Sequence, residues 1–338
     1  MLKLSALTGG INFPSARYRV RQYIKPMEVK NIKITEYSAK YNSIPPASFL
    51  SRLAWFPKTL LERRISIIKA SEYDLVLLQR ELISSIFILE KFIKKPIYFD
   101  VDDAIWLNFK FNSQLKIVSK FDKLICGNDF IGNYFSKYNK NIFILPTPVN
   151  TDLYFPIDKD DINEEIFYIG WVGSSSGFIF FDNDIQFALN NLLNKYKNWK
   201  FLVISDIKPQ FAFIDNSKIV FKQWDPNFES DYVNMMDIGL MPLNNTDWSK
   251  GKCSYKMLIY MACGIPVVVS NYGMNTTVLN KGDVGFGCIK KQEWYDSIDY
   301  LINNENIRKN MGACGRKIVL QYYSLNKCVN DLVNIIQK

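Results

Sequence analysis

The chain contains no histidine. That absence removes Ser-His-Asp and Cys-His catalysis, histidine-ligated metal centres and imidazole acid–base chemistry near neutral pH. The cysteines, at 126, 253, 263, 288, 314 and 328, include no Cys-x-x-Cys pair. Neither a zinc ribbon nor a dithiol redox site is therefore encoded, and reduced thiols in a cytoplasmic protein are the expectation. No apolar run approaches the roughly 20 residues of a membrane-spanning helix. Residues 1–7 are too short for a secretion signal and read as a first strand. A Gly-x-Gly-x-x-Gly fingerprint is missing too, which disfavours a nicotinamide cofactor. Repeats and low-complexity segments are also absent.

What remains is ample for a full hydrophobic core. The 338 residues are 48% hydrophobic and 15% aromatic, enough for two ordinary domains. Charge is uneven. Residues 1–150 hold 23 lysines and arginines against 12 acids, while the remainder holds 19 against 21. A basic first half suits anionic partners such as phosphates or a membrane surface. No nucleic-acid motif accompanies it, so nucleic acid is not an expected partner.

The hydrophobic pattern alternates strand and helix, which argues for doubly wound parallel α/β sheets. Strands are predicted at 2–7, 32–35, 75–78, 96–101, 123–126 and 142–145, then at 166–172, 200–204, 218–221, 238–241, 265–270 and 284–288. Helices are predicted at 14–24, 48–70, 81–91, 130–137, 184–196, 228–235, 254–263, 291–301, 305–322 and 325–337. A boundary falls in Leu145-Pro146-Thr147-Pro148, where three prolines within the eleven residues 146–156 forbid helix. The expected domains are 1–148, joined by a returning helix at 324–338, and 149–323.

The stretch from Lys252 to Ser270, KCSYKMLIYMACGIPVVVS, carries the most information. Ser254 is placed to cap a helix whose apolar face is Leu258, Met261 and Ala262. Gly264 stops it, and Val267-Val268-Val269 has the branching of a buried parallel strand. Side chains on a helix lean toward its N-terminus, so Lys256 reaches back over the first turn. With Lys252 beside it, this is a diphosphate-type site.

The stretch resembles the C-terminal signature of the retaining, nucleotide-sugar-dependent glycosyltransferases of family 4, which have the GT-B fold. That family shows two glutamates eight positions apart before Ala-Met-Ala-x-Gly-x-Pro-Val-Val. This chain keeps Met261-Ala262-Cys263-Gly264-Ile265-Pro266-Val267-Val268, but Gly251 and Ile259 stand at the glutamate positions. It matches a divergent branch with Lys-Cys-Ser-x-Lys there. The interdomain stretch 146–156 and the end, Tyr322-Tyr323-Ser324-Leu325 before an amphipathic helix, are similar to the family's as well. The resemblance implies two Rossmann-like domains facing a cleft, with the last helix crossing back to the first domain.

Several loops then acquire expected roles. The Gly-rich turn after the seventh strand, Gly173-Ser174-Ser175, lets backbone amides approach a diphosphate; relatives carry Gly-Arg and a lysine there. Trp224 is placed to stack on the base, and Asp247, Ser254 and Tyr255 to meet the donor. Lys256 and Lys252 would stabilise the leaving diphosphate. Asp103 would contact the acceptor hydroxyl, with Asp102, Gly9, Gly10, Arg17 and Arg80 on the acceptor side. No metal or other cofactor is expected. The basic, aromatic helix at 48–70 suits a membrane interface.

Together these imply sugar transfer from a nucleotide-diphosphate sugar to a saccharide or lipid-linked hydroxyl in cell-surface polysaccharide biosynthesis, with retention. The protein would be cytoplasmic, peripheral at the inner face of the membrane. A non-catalytic GT-B module paired with an active transferase is the alternative. A sugar epimerase of the same fold is disfavoured by the missing histidine.

Overall fold

A computed structural model describes residues 1–109, 112–157 and 166–337, with only the backbone of 112–114; Lys338, the last residue of the expected returning helix, lies outside them. The chain forms two compact units. The first is Met1–Pro148 with Gly251–Cys253 and Leu325–Lys338; the second is Val149–Lys250 with Ser254–Ser324.

The first unit's strands are β1 (Leu2–Thr8), β2 (Ile32–Ser38), β3 (Leu75–Gln79), β4 (Ile97–Val101), β5 (Lys123–Cys126) and β6 (Ile142–Ile144). They form one parallel sheet in the order β2-β1-β3-β4-β5-β6. The second unit's are β7 (Phe167–Val172), β8 (Trp199–Ser205), β9 (Ile219–Gln223), β10 (Ile238–Met241), β11 (Val267–Ser270) and β12 (Gly285–Cys288), ordered β12-β11-β10-β7-β8-β9. In each sheet the strand order reverses once, between β1 and β3 and between β7 and β10. Open α/β sheets bind ligands outside the carboxyl ends of the strands at that reversal.

The helices are α1 (Pro14–Arg19), α2 (Ile24–Val29), α3 (Phe49–Ala70), α4 (Asp129–Phe135), α5 (Asn183–Lys195), α6 (Glu229–Asn234), α7 (Asp247–Lys250), α8 (Tyr255–Ala262), α9 (Met274–Leu279), α10 (Lys291–Asn303), α11 (Glu305–Ile318) and α12 (Leu325–Gln337). α12 belongs to the first unit. Its Leu325, Cys328, Val329, Leu332, Ile335 and Ile336 pack with Leu4, Ala6, Tyr23 and Met27, the i, i+3/4, i+7 spacing of an amphipathic helix. The second core gathers Trp171, Ile185, Leu189, Trp199, Phe201 and Trp294.

α8 is buried on all sides from Met257 to Ala262. Its end is a Schellman turn. Gly264 adopts φ +72°, the Ile265 N–H reaches the Tyr260 carbonyl at 3.0 Å, and the Gly264 N–H reaches that of Met261 at 3.0 Å. Val267–Ser270 then runs fully buried between β10 and β12, as a parallel strand covered on both faces must.

Three expectations fail. No helix forms over 81–91, where only Glu90–Phe92 makes a 3-10 turn. Arg80 and Ser85 adopt left-handed φ values of 60° and 68°, and the buried carboxylates take up the amides a helix would use: Glu81 accepts from Ser85 N–H and Glu90 from Leu82 N–H. The segment 14–24 breaks at Val20 into α1, a 3-10 turn and α2. The break lets Arg21 turn back to the carbonyls of Gly10 and Ile11 and to Glu36. Ser254 does not cap α8. It sits at φ +50°, and its hydroxyl bonds Asn275 Oδ1 at 2.7 Å instead. The short α9 went unforeseen because six residues after Gly273 are too few to show a period.

Glu90 gives a pH test. It is 1% exposed and its Oε2 has no partner. Burial pushes its carboxyl from 4.5 up to about 7, against the Leu82 N–H bond and helped by nearby Glu81. The folded state therefore binds this proton more tightly than the unfolded chain. The stabilising protonated form is lost as pH rises from 4.5 through about 7. Glu90→Gln should flatten the fall in stability between about pH 5 and pH 8 by at most a few kcal/mol in urea unfolding. An unchanged slope would remove Glu90 as its source.

Candidate functional site

In the second unit, β7 ends at Val172, whose N–H donates to the hydroxyl of buried Tyr260 on α8 at 3.0 Å. Gly239 on β10 leaves room for that ring: a Cβ there would lie 2.5 Å from Tyr260 Cδ2. This packing sets α8 directly behind the loop after β7. The Lys256 side chain then crosses Gly173, since a Cβ on Gly173 would fall 2.5 Å from Lys256 Cε and 2.8 Å from the Trp171 ring. The Lys256 ammonium lies 5.6 Å from the centroid of Trp171. The placing of the Lys256 stem and the need for a small residue at 173 are thus one geometric fact.

The next residues are already partnered. The Ser174 and Ser176 hydroxyls lie 2.8 Å apart. The Ser175 N–H donates to Asp206 Oδ1 at 2.6 Å and its hydroxyl to Oδ2 at 3.1 Å. Burial pushes the Asp206 carboxyl up, but the Ser175 N–H and the Ser205 and Ser175 hydroxyls outweigh it and hold the group below its ordinary value. One loop amide is therefore occupied by a carboxylate, which the sequence did not reveal.

Trp224 follows β9, half-buried, with its N–H on the Ser205 carbonyl at 2.8 Å. Asp247 opens α7 at the surface, 3.6 Å from Lys250. Tyr255, half-buried, begins α8. A cavity of about 350 Å³ is lined by Phe180, Asp182, Leu243, Ser270, Tyr272 and Trp294 among others, close to the carboxyl ends of β10, β11 and β12. None of the expected donor or acceptor residues lines it; of the informative stretch only Ser270, at the end of β11, does.

In the first unit, Gly9 and Gly10 follow β1, Arg80 follows β3, and Asp102 and Asp103 follow β4, so the strand order brings them to one sheet edge. Arg80 Nε donates to Asp102 at 2.7 Å and Nη2 to Asp103; the other Asp103 oxygen accepts from Lys252 Nζ at 2.9 Å. The Arg80 side chain is 22% exposed. Burial disfavours its charge, but Asp102 and Asp103 more than compensate and raise its pKa. Burial likewise pushes the Asp102 carboxyl up, and Arg80, the Ser15 hydroxyl and Arg19 bring it below the ordinary carboxylate value. Lys252 thus sits in the first unit, paired with Asp103, while Lys256 belongs to the second.

Asn128 Nδ2 fixes the Lys252 segment through the carbonyls of Gly251 at 3.2 Å and Lys252 at 3.0 Å. A Cβ on Gly251 would lie 2.7 Å from Ala104 Cβ, so no glutamate fits there, and Ile259 is 1% exposed. Arg17 lies on α1 with its guanidinium 5.4 Å above the Tyr18 ring. Gly10 has φ +156°, and Gly9's carbonyl accepts from Ser43 N–H at 2.7 Å. Among the described residues no cluster of metal-ligating side chains occurs.

Gly173→Ala tests the second edge. The new methyl displaces only the flexible end of Lys256 and part of the Trp171 ring. Stability should fall by about 1–3 kcal/mol in urea unfolding. An unchanged stability would show that Lys256 and Trp171 make way for the methyl at no cost.

Residues 165–304 match the family model described as Glycosyl transferases group 1. A comparison with curated proteins finds no match. Three solved structures are similar over nearly the whole chain. Sucrose-phosphate synthase from Thermosynechococcus elongatus is 12% identical with a TM-score of 0.72, covering 100% of this chain and 98% of its own. HepE from Anabaena, in complex with UDP and glucose, is 12% identical at a TM-score of 0.70, with 100% of both chains covered. WaaG, a glycosyltransferase involved in lipopolysaccharide biosynthesis, is 13% identical at 0.66, covering 98% and 99%. At such identities the likeness is one of fold, and the family match covers residues 165–304. The chain has the GT-B fold, and its residues 165–304 match the Glycosyl transferases group 1 family.

Proposed function

We propose that the enzyme transfers a sugar from a nucleotide-diphosphate sugar to a hydroxyl of a saccharide or lipid-linked acceptor in cell-surface polysaccharide biosynthesis, with retention. The observation that carries this reading is Lys256 lying over Gly173 at the β7/β10 reversal, within the residues matched to the family. The HepE complex with UDP and glucose supports a nucleotide-sugar donor, and WaaG supports a surface-polysaccharide setting.

The acceptor oxygen bonds to the anomeric carbon as the bond from that carbon to the diphosphate oxygen breaks, and the hydroxyl proton leaves on the diphosphate. No histidine or metal is needed for this balance. Lys256, on the donor side, meets the growing negative charge together with the Ser174 amide, the Gly173 N–H being spent on the Ile204 carbonyl at 3.0 Å; Trp224, Asp247, Ser254 and Tyr255 complete the donor site. Asp103 orients the acceptor hydroxyl and is itself held by Arg80 and Lys252. Gly9, Gly10, Arg17 and Asp102 flank it. We place the enzyme in the cytoplasm, peripheral at the inner face of the membrane.

Thermal unfolding with UDP, GDP, ADP, dTDP and CMP tests the reading. A ligand at about 100 times its dissociation constant adds roughly 2.7 kcal/mol to the folded state. One nucleotide should stand out. A folded protein that responds to none would overturn the donor site.

A further inference from the structure

α3 carries an apolar face that the first unit does not cover. Over its 22 residues, Thr59, Arg63, Ser66, Ile67 and Ala70 are buried against the unit. At 100° per residue these positions cluster on one side of the helix. Leu50, Leu53, Leu61, Ile65 and Ile68 fall on the opposite side, and all are exposed, from 46% for Ile65 to 75% for Leu50. Phe49, 71% exposed, and Phe56, 38% exposed, fall in the sector of the buried positions and are not part of this stripe. Monomeric proteins rarely leave such a stripe to water.

The charges beside the stripe are of one sign. Lys58 and Lys69 border it on one side and Arg64 on the other, all exposed. The helix's one acid, Glu62, is turned to Ser66 and Arg63. The helix is also anchored: Trp55 Nε1 donates to the Tyr41 carbonyl at 2.8 Å and Arg52 Nε to that of Pro46 at 2.7 Å. That leaves exposed Ile44 on the same tethered loop. An apolar stripe flanked by lysine and arginine is the pattern of a helix lying in a membrane interface. No helix among the described residues is long and apolar enough to cross a membrane.

We infer that α3 docks the enzyme on an anionic lipid bilayer, its leucines and isoleucines entering the acyl boundary while Lys58, Arg64 and Lys69 meet lipid phosphates. This deepens the peripheral placement proposed above by naming the element, and it does not depend on the donor site. Flotation with vesicles of phosphatidylglycerol and phosphatidylethanolamine, against phosphatidylcholine alone, tests it. Two triple variants accompany the wild type: Leu50→Gln/Leu61→Gln/Ile68→Gln and Lys58→Glu/Arg64→Glu/Lys69→Glu. All changed side chains are exposed, so melting temperatures should stay near the wild-type value. The wild type should float with the anionic vesicles and be released by salt, and each variant should bind at least about tenfold less. The proposal is overturned if the wild type stays below both vesicle types. It is equally overturned if both variants float like the wild type, or if gel filtration shows a wild-type dimer that the leucine variant splits into monomers. The nucleotide-induced thermal shift, read on the same samples, reports separately on the donor site.

Discussion

Lys256→Ala should abolish the nucleotide-dependent rise in melting temperature and slow sugar transfer by about 10²–10³-fold, the usual cost of removing one preorganised charge from a group-transfer site. The leaving diphosphate develops its negative charge where a fixed cation costs no reorganisation. Lys256 is fixed: its stem passes over Gly173 and its ammonium lies 5.6 Å from the Trp171 centroid. Stability should drop by only about 0.5–1 kcal/mol, the worth of an exposed cation–π contact. Fold and function therefore separate cleanly in this variant. Lys256→Arg keeps the charge on a planar fork and should recover part of the activity. Lys252→Ala should behave differently. That ammonium is paired with Asp103 in the first unit, so its loss should leave the nucleotide shift in place and act on acceptor kinetics. Undiminished transfer by Lys256→Ala, or an unchanged nucleotide shift, would remove this lysine from the donor site.

That contrast between two lysines four residues apart shows where sequence reading succeeds. Periodicity and punctuation are local, and they disclosed the twelve strands of the described residues, the long α3, the buried α8 with its Gly264 stop, and the amphipathic α12. The position of Lys256 at the start of α8 was legible for the same reason, because helix boundaries are marked locally. The partner of Lys252 was not legible. Asp103 precedes it by 149 positions, and Arg80, which holds the other oxygen of Asp103, by 172; only the strand order β1-β3-β4 brings Asp103 and Arg80 together at one edge. Ser175 makes the same point, since its amide is occupied by Asp206 from the end of a neighbouring strand. Glu81 and Glu90 mislead in the opposite way. They read as polar positions of a helix, yet each is buried and spends its carboxylate on a loop amide. Local pattern names the elements, whereas buried polar pairing decides the segments between them.

The strongest such pairing predicts the largest loss of stability. Asp100→Ala and Arg19→Met should each destabilise the first unit by about 3–5 kcal/mol, because each strands a charge in the core. The Arg19 side chain is 0% exposed and that of Asp100 3%. Arg19 Nε lies 3.0 Å from Asp100 Oδ1, Nη2 lies 2.5 Å from Oδ2, and Nη1 reaches the Leu145 carbonyl at 2.7 Å. One guanidinium thus fastens α1 to β4 and to the residue that follows β6. At roughly 2–4 °C per kcal/mol, the melting temperature of the first unit should drop by about 10 °C. The two variants should part company with pH. Burial already pushes the Asp100 carboxyl up against the pull of Arg19. Without Arg19 the carboxyl can take a proton and shed its charge, so the cost of Arg19→Met should shrink as pH falls from about 8 to about 5. The cost of Asp100→Ala should stay level, since a buried arginine has no neutral form to retreat to in that range. Arg19→Met/Asp100→Ala should lose less than the sum of the single changes, because replacing both partners strands neither. Additive losses in urea unfolding would show that the two residues stabilise the unit independently, through their contacts with other groups.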